Sequence, residues 1–198
     1  KIVPLFPQYA SATNGSSIEK TMALLSKRQA IPTFEIIPPF YHDPDYIDAL
    51  AKSIQPTLDK TKPEYLLLSY HGLPERQIDK LENTECCNKQ EACGIIQARN
   101  QFCYRAQCYQ TSHLLAKKLN LNQGQYGVSF QSRLGKIPWI KPYTDNRLTE
   151  LRKQGVQRIA VSCPAFVADC LETIEEIGIE AKEQWLESGG KEFTLVPV

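Results

Sequence analysis

Short apolar runs alternate with segments of helical periodicity along this chain of 198 residues. Near-continuous apolar runs of this kind are typical of parallel strands that helices cover on both faces. The predicted strands are residues 1–6, 33–37, 65–69, 126–130, 158–162 and 193–197. The predicted helices are residues 16–28, 43–58, 105–119, 144–154 and 171–188. The alternation predicts an α/β fold with a doubly wound parallel sheet and flanking helices.

Several predicted helices carry end signals that are independent of the apolar pattern. Ser16 and Glu19 have the spacing of a capping box, and Asp43 lies directly ahead of a proline at the first helical position. Gly155 and Gly189 follow predicted helices, where a left-handed residue commonly ends the last turn. These residues therefore set the expected limits of four helix ends.

The last predicted helix carries a row of carboxylates, here called the acidic ridge. With about 100° between successive residues of an α-helix, one narrow stripe contains Asp169, Glu172, Glu176, Glu180, Glu183 and Glu187. The opposite side, predicted to dock on the core, contains Leu171, Ile174, Ile177 and Ala181. Two interpretations stay open. The ridge is either a solvated charged face or a path along which carboxylate oxygens pass a divalent cation.

Charge and hydropathy exclude several classes of function. The chain has 23 basic and 22 acidic residues, so its net charge does not call for nucleic acid or an anionic membrane surface. No apolar run approaches the roughly 20 residues of a spanning helix, and no signal peptide is visible. Because the first residues read as a strand already under way, we expect the chain to be incomplete.

Five of the seven cysteines crowd one polar segment: Cys86, Cys87, Cys93, Cys103 and Cys108. A secreted disulfide scaffold would spread its cysteines through a small, loop-rich chain, whereas here they interrupt an ordinary α/β pattern. A local metal site is therefore the favoured interpretation. The order Cys87-x5-Cys93-x9-Cys103-x4-Cys108 offers four thiolates, which suit a structural zinc ion or a 2Fe-2S cluster. Reduced or disulfide-bonded cysteines are the third alternative.

The chemistry of such a sheet is expected at the carboxyl ends of its strands. His71 follows the strand predicted at residues 65–69, and Asp169 and Glu172 follow the loop after the strand at residues 158–162. A single histidine in this position is more often a packed or surface residue. Together with carboxylates, however, an imidazole can move protons and bind a divalent metal.

Three motifs at these strand ends resemble those of ferrochelatases. They are LSYHGLP at residues 68–74, FQSRLG at residues 130–135 and CPAFVADCLETIEE at residues 163–176. The opening PLFPQY at residues 4–9 and Trp139 also fit, and the resemblance runs nearly end to end in unchanged order. It implies a chelatase-like fold of two similar Rossmann-like lobes, of which this chain would hold the carboxyl-terminal two-thirds.

The resemblance also implies a division of the chain. Residues 1–62 would be the carboxyl-terminal part of an incomplete first lobe. Residues 63–198 would form the second lobe, with a cysteine-rich insert at residues 81–104. The last strand could return from there to the first lobe.

The activity implied is that of a lyase that inserts Fe2+, its substrate, into protoporphyrin IX or coproporphyrin at the end of haem biosynthesis. His71 would accept pyrrole protons or ligate iron, and Glu172 would lie beside it. Glu176 and Glu180 would continue from this pair as an outer metal or proton path. The truncated chain by itself could lack this activity.

The same resemblance assigns the porphyrin slot and the cysteine site. The residues implied to bind porphyrin are Tyr9, Gln131, Ser132, Leu134, Trp139 and Phe166, although core packing is an alternative for the apolar ones. Because some ferrochelatases carry a 2Fe-2S cluster, a cluster on Cys87, Cys93, Cys103 and Cys108 is favoured over zinc. The implied partners are a porphyrin and ferrous iron, without nucleic acid. The implied location is the cytoplasm, with or without peripheral association at the cytoplasmic face of the membrane.

Two rival functions stay open. A cobalt chelatase acting on a sirohydrochlorin-like tetrapyrrole would share the fold, but the motifs that begin at Gln131 and Asp169 favour ferrochelatase. A non-catalytic fragment that binds a tetrapyrrole or metal is the rival from another class. Neither the oligomeric state nor the choice between the two porphyrins follows from the sequence.

Overall fold

A four-stranded, all-parallel sheet forms the centre of the computed structural model, which describes residues 1–80 and 96–198. Its strands are β1 (Tyr65–His71), β2 (Tyr126–Gln131), β3 (Arg158–Ser162) and β4 (Glu192–Leu195). They lie in the order β2-β1-β3-β4. This arrangement confirms the predicted α/β class with a parallel sheet and flanking helices.

Helices connect the strands and cover both faces of the sheet. The α-helices are α1 (Ser16–Leu25), α2 (Pro44–Thr61), α3 (Glu75–Asp79), α4 (Tyr104–Lys118), α5 (Thr144–Lys153), α6 (Leu171–Ile174) and α7 (Lys182–Glu187). Two π-helical segments, Ser11–Gly15 and Glu176–Ala181, adjoin α1 and α7. Side chains of β1 alternate between two cores, with Leu66 and Leu68 on one face and Tyr65 and Leu67 on the other. The sheet is therefore buried on both faces, as its apolar runs predict.

Three of the four predicted helix ends are confirmed. The Asp43 side chain accepts hydrogen bonds from two backbone amides of α2, and Gly155 and Gly189 adopt positive φ after their helices. The capping box at Ser16 is wrong, because a π-helical turn precedes α1. The Ser16 hydroxyl instead donates to the carbonyl oxygens of Ala12 and Thr13.

The strands predicted at residues 1–6 and 33–37 are wrong. These segments meet in a single parallel bridge between Ile2 and Ile36, where the Ile37 amide donates to the Ile2 carbonyl at 2.9 Å. An isolated pair of parallel strands has no neighbours to cover its faces, and Leu5 is 59% exposed. The apolar pattern of these segments is β-like, but among the described residues they pair only through this one bridge.

The single helix predicted at residues 171–188 is also wrong, because the π-helical segment Glu176–Ala181 interrupts it. The Glu180 amide donates to the Glu175 carbonyl, a bond that spans five residues and widens the turn. The extra residue rotates α6 relative to α7. As a result Ile177 is buried while Leu171 is 76% exposed, so only the later half of the predicted apolar side docks on the core.

The last strand stays in the same sheet, since β4 pairs with β3 from Arg158 opposite Glu192 to Val161 opposite Leu195. The proposed division at residue 62 stays a prediction. Residues 81–95 of the predicted insert lie outside the described residues, while Cys103 is the residue before α4. Among the described helices, none is long and apolar enough to cross a membrane.

Candidate active site

A cavity of about 410 Å³ lies at the carboxyl ends of β1 and β3. His71, the last residue of β1, forms part of its wall, and Asp169 and Glu172 approach from the β3–α6 connection. Apolar side chains, including Phe6 and Phe166, supply much of the remaining lining. The structure therefore brings together the imidazole and the two carboxylates that the sequence singled out.

The backbone around His71 defines the state of its ring. Nδ1 lies 2.6 Å from the Gly72 carbonyl oxygen, which can only accept a hydrogen bond. Nδ1 therefore carries the proton in the neutral ring, and the lone pair is left on Nε2. The Tyr104 hydroxyl donates to the His71 carbonyl oxygen at 2.8 Å and so fixes the end of the strand.

Glu172 lies in the first turn of α6, two residues after the cap residue Cys170. The Cys170 amide donates to the Thr173 hydroxyl oxygen at 3.0 Å, which holds this short turn together. Hydrogen bonds from the Cys170 thiol and the Glu172 backbone lower the pKa of the Glu172 carboxyl, and the nearby His71 lowers it further. Glu172 is therefore an anion at neutral pH, facing an imidazole that can take up a proton.

Glu176 faces a second, neighbouring cavity of about 250 Å³, which Glu180 also lines. One Glu176 carboxylate oxygen accepts from the Ser132 amide at 2.6 Å and the other from the Ser132 hydroxyl at 2.5 Å. Ser132 has a φ of 64°, and this left-handed conformation turns its amide toward the carboxylate. The outer pair of carboxylates thus lies beside the His71 cavity instead of within it.

Carboxylates crowd this part of the acidic ridge. The pKa of the exposed Glu175 carboxyl is raised, chiefly because Glu180 is close and Glu176 adds to the repulsion. Within residues 1–80 and 96–198, no group of three or more histidine, cysteine or acidic side chains is close enough to hold a metal ion. The metal-binding roles of His71 and these glutamates stay predictions.

The side chains predicted to bind porphyrin occupy different environments. Phe166 lines the His71 cavity, and the Trp139 ring lies 6.4 Å from the imidazole. The Trp139 indole donates to the Leu134 carbonyl oxygen at 3.0 Å, while the Leu134 side chain is largely exposed. Tyr9 packs edge-on against Phe102 with ring centroids 6.0 Å apart. Phe166 and Trp139 therefore place aromatic rings near the histidine, where they could contact a flat apolar ligand.

Gln131 and Tyr104 have roles that sequence reasoning did not find. Gln131, expected as a porphyrin contact, is only 3% exposed, and its amide binds protein groups on both sides. Tyr104 was not singled out, although it lines the cavity and bonds to His71. Nothing in the local pattern marks these residues, because their partners are 33 or more positions away in the sequence.

The described part of the cysteine site lies at the beginning of α4. Cys103 and Cys108 are buried, whereas Cys86, Cys87 and Cys93 lie outside the described residues. Burial raises the pKa of the Cys108 thiol well above its usual range. Whether four thiolates converge here is therefore not answered by the fold.

A buried cation accompanies these thiols. Arg105 is 8% exposed, and its Nε and Nη2 atoms lack hydrogen-bond partners among the residues that the structure describes. Its guanidinium lies over the Tyr109 ring at 5.8 Å. A thiolate-bound metal group would be anionic, and a buried cation beside Cys103 and Cys108, with two nitrogens that lack hydrogen bonds among the described residues, fits such a group.

Comparisons with known proteins agree with the motifs. A family model described as ferrochelatase matches residues 1–198. A ferrochelatase from Legionella pneumophila (strain Philadelphia 1) is 56% identical over 196 residues, which cover 99% of this chain and 58% of that protein. A ferrochelatase from Coxiella burnetii (strain Dugway) is 47% identical over 197 residues, covering 99% of this chain and 54% of that protein. The chain thus spans little more than half the length of these curated relatives. Because the family model covers the whole chain, this chain belongs to the ferrochelatase family.

Proposed function

We propose that this chain is the carboxyl-terminal part of an enzyme that inserts Fe2+ into protoporphyrin IX or coproporphyrin to make haem. The observation that carries the proposal is the juxtaposition of His71 and Glu172 in one largely apolar cavity at the strand ends. Membership of the ferrochelatase family favours this function over a cobalt chelatase. The same membership makes Fe2+ a substrate and not a resident cofactor.

The protonation states of the pair suit metal insertion. Two pyrrole N–H protons must leave the porphyrin as one dehydrated metal ion enters. With its proton on Nδ1, neutral His71 offers Nε2 to accept a pyrrole proton. The Glu172 carboxylate, kept ionised by Cys170, would stabilise the imidazolium that forms.

The outer carboxylates supply a route to this pair. We place Glu176 and Glu180 as successive stations for iron or protons, because they line a cavity directly beside that of His71. Glu176 is held by Ser132, so a metal ion passing through would replace these hydrogen bonds. Oxygen ligands that exchange in this way are suited to transport and not to permanent binding.

For the porphyrin we propose a slot around His71 that includes Tyr9, Trp139, Phe166 and Leu134. Aromatic faces favour a flat macrocycle, and the exposed Leu134 would contact it near the mouth of the slot. The two polar residues predicted for the slot differ in their exposure to solvent. Ser132 is half-buried beside Glu176, while Gln131 is buried.

For the cysteine site we propose a 2Fe-2S cluster held by Cys87, Cys93, Cys103 and Cys108, with zinc as the alternative. The support is the pair of buried thiols at the start of α4 and the nearby buried Arg105, two of whose nitrogens have no hydrogen-bond partner among the described residues. A bound cluster would tie the cysteine-rich segment to α4. We also propose a cytoplasmic location, with peripheral contact to the membrane as a finer possibility that rests on the family resemblance.

The direct test uses the full-length protein under anaerobic conditions with Fe2+ and each porphyrin. We expect the absorption spectrum of the porphyrin to change into that of haem, and His71→Ala to prevent this change. Quenching of porphyrin fluorescence without any metallated product would instead indicate a binding protein. Co2+ insertion into sirohydrochlorin, without haem formation, would support the cobalt chelatase alternative.

A further inference from the structure

Gln131 ends β2 directly opposite His71, because the parallel register of β1 and β2 pairs these two residues. Its side chain is almost completely buried. A buried amide must have hydrogen-bond partners, since a buried polar group without them destabilises the fold. The identity of those partners shows what this residue does.

The Gln131 amide joins the sheet to the segment that carries the glutamates. Its Oε1 accepts from the Ser69 hydroxyl at 2.8 Å, and the Cys163 thiol lies 3.7 Å away. Its Nε2 donates to the Glu172 carbonyl oxygen at 2.6 Å and to a Glu176 carboxylate oxygen at 3.3 Å. Because a carbonyl oxygen can only accept, Nε2 must be the atom that faces Glu172. The amide therefore has one allowed orientation.

We propose that Gln131 is a positioning residue that sets Glu172 opposite His71. This inference rests on the proposed function of that pair. The sheet register fixes Gln131 relative to His71, and the amide then fixes the backbone of Glu172. The second bond, to Glu176, couples the outer carboxylate to the same side chain.

The helix that carries Glu172 needs such an anchor. Helix α6 has only four residues, and a π-helical segment begins two residues after it. Leu171 and Ile174 are exposed, so apolar packing holds this turn only weakly. Thr173 is buried and caps the turn locally, but the Gln131 bond ties the Glu172 backbone directly to the sheet.

Two substitutions in the full-length protein test the proposal. Gln131→Met keeps the length of the side chain and removes both the donor to Glu172 and the acceptor of the Ser69 hydroxyl, whereas Gln131→Glu keeps an acceptor and places an oxygen against the Glu172 carbonyl and the Glu176 carboxylate. We expect kcat for metal insertion to fall about 10- to 100-fold, the range typical of groups that orient a ligand. The glutamate variant should be the slower one. Porphyrin affinity, measured by fluorescence quenching, should be unchanged in both.

Gln55→Met is the control. Gln55 Nε2 donates to the Asp59 carboxylate at 2.7 Å within α2, and Gln55 lines neither the His71 cavity nor the cavity of Glu176 and Glu180. We expect its kcat to stay within about twofold of the unsubstituted protein. An equal loss of kcat in the control would overturn the proposal, as would unchanged kcat in both folded Gln131 variants.

Hydrogen exchange without substrate separates this inference from the proposed function. Amides of Leu171–Ile174 should exchange faster in Gln131→Met than in Gln55→Met, whether or not the protein metallates porphyrin. Faster exchange in Gln131→Met, combined with no metal insertion by the unsubstituted protein, would support the positioning role of Gln131 and contradict the proposed function. Equal exchange rates in the two variants of an active enzyme would contradict only the positioning role of Gln131. If Gln131→Glu does not fold, the methionine variant still decides.

Discussion

The Tyr104 hydroxyl donates a 2.8 Å hydrogen bond to the carbonyl oxygen of His71. Tyr104 is the first residue of α4 and directly follows Cys103, so this bond joins the cysteine-bearing helix to the end of β1. Tyr104 is buried, whereas the His71 side chain forms part of the cavity wall. The orientation of the imidazole therefore depends on a helix that is distant in sequence.

Replacing Tyr104 with phenylalanine should lower both stability and turnover. The His71 carbonyl would lose its donor, at a cost of about 1 kcal/mol in the free energy of unfolding. Tyr70→Phe is the control, because the buried Tyr70 hydroxyl bonds to Ser112 at 2.7 Å and not to the His71 carbonyl. Denaturant unfolding should show similar losses in both variants, while kcat should fall in Tyr104→Phe alone. Equal kcat values in the two variants would show that the bond between Tyr104 and His71 does not affect turnover.

Substitutions of the proposed catalytic pair, His71 and Glu172, should have large effects on turnover. His71→Ala in the full-length protein should abolish Fe2+ insertion while the fold is retained. Glu172→Gln has nearly the same shape but cannot ionise, so turnover should fall at least about 100-fold, as expected for lost acid–base function. Circular dichroism would confirm folding, and haem formation would measure turnover. Near-normal turnover in either folded variant would contradict the assignment.

The pH dependence follows from the lowered pKa of Glu172. A carboxyl with a depressed pKa in the folded state stabilises the protein above its unfolded value of about 4.5, and this contribution is lost as pH falls through the folded pKa. Cys170→Ala removes the largest cause of the depression, the hydrogen bond from the thiol. The acidic limb of the kcat profile should therefore move to higher pH in this variant. An unmoved acidic limb would show that ionisation of Glu172 does not control turnover.

The structure explains which features could be read from the sequence. The buried strands β1, β2 and β3 were predicted because continuous apolar runs are typical of parallel strands covered on both sides. His71 was placed at a strand end for the same reason. The π-helical segment Glu176–Ala181 was missed, because a periodicity of 3.6 residues gives no sign of one wider turn.

Long-range hydrogen bonds were the least predictable part of the site. The partners of Gln131 lie on β1 and at the start of α6, 62 and 41 positions away. A glutamine at a strand end is equally compatible with ligand contact and with burial. Only the packing of β1, β2 and the β3–α6 connection decides between these roles, and this packing has no local signature.

The acidic ridge should affect metal supply more than porphyrin binding. Jointly replacing Glu176 and Glu180 by glutamine should weaken the apparent affinity for Fe2+ and leave porphyrin binding unchanged, because neither side chain lines the His71 cavity, where we propose that porphyrin binds. Glu183 and Glu187, on the exposed side of α7, provide a control with the same loss of charge. The measurement is the dependence of the initial rate on Fe2+ concentration. The same dependence in both double variants would favour a solvated charged face, with a slight gain in helix stability.

The cysteine site predicts a coloured protein. Full-length protein purified without oxygen should be red-brown, with thiolate-to-iron absorption in the visible range. Cys103→Ser and Cys108→Ser should each remove the colour, since serine is similar in size but a poor ligand. Cys163→Ser is the matched control, because Cys163 is also buried with a raised pKa but lies beyond β3, beside Gln131.

The comparison of Cys108 with Cys163 separates ligation from packing. Both thiols are buried, so both substitutions should lower the free energy of unfolding in the metal-free protein. Only a ligand should also change the metal content and the visible spectrum. A colourless protein with one zinc ion would reject the cluster and keep the site. Loss of stability without loss of colour in Cys108→Ser would make Cys108 a core residue, because its fully buried side chain would then be explained by packing alone.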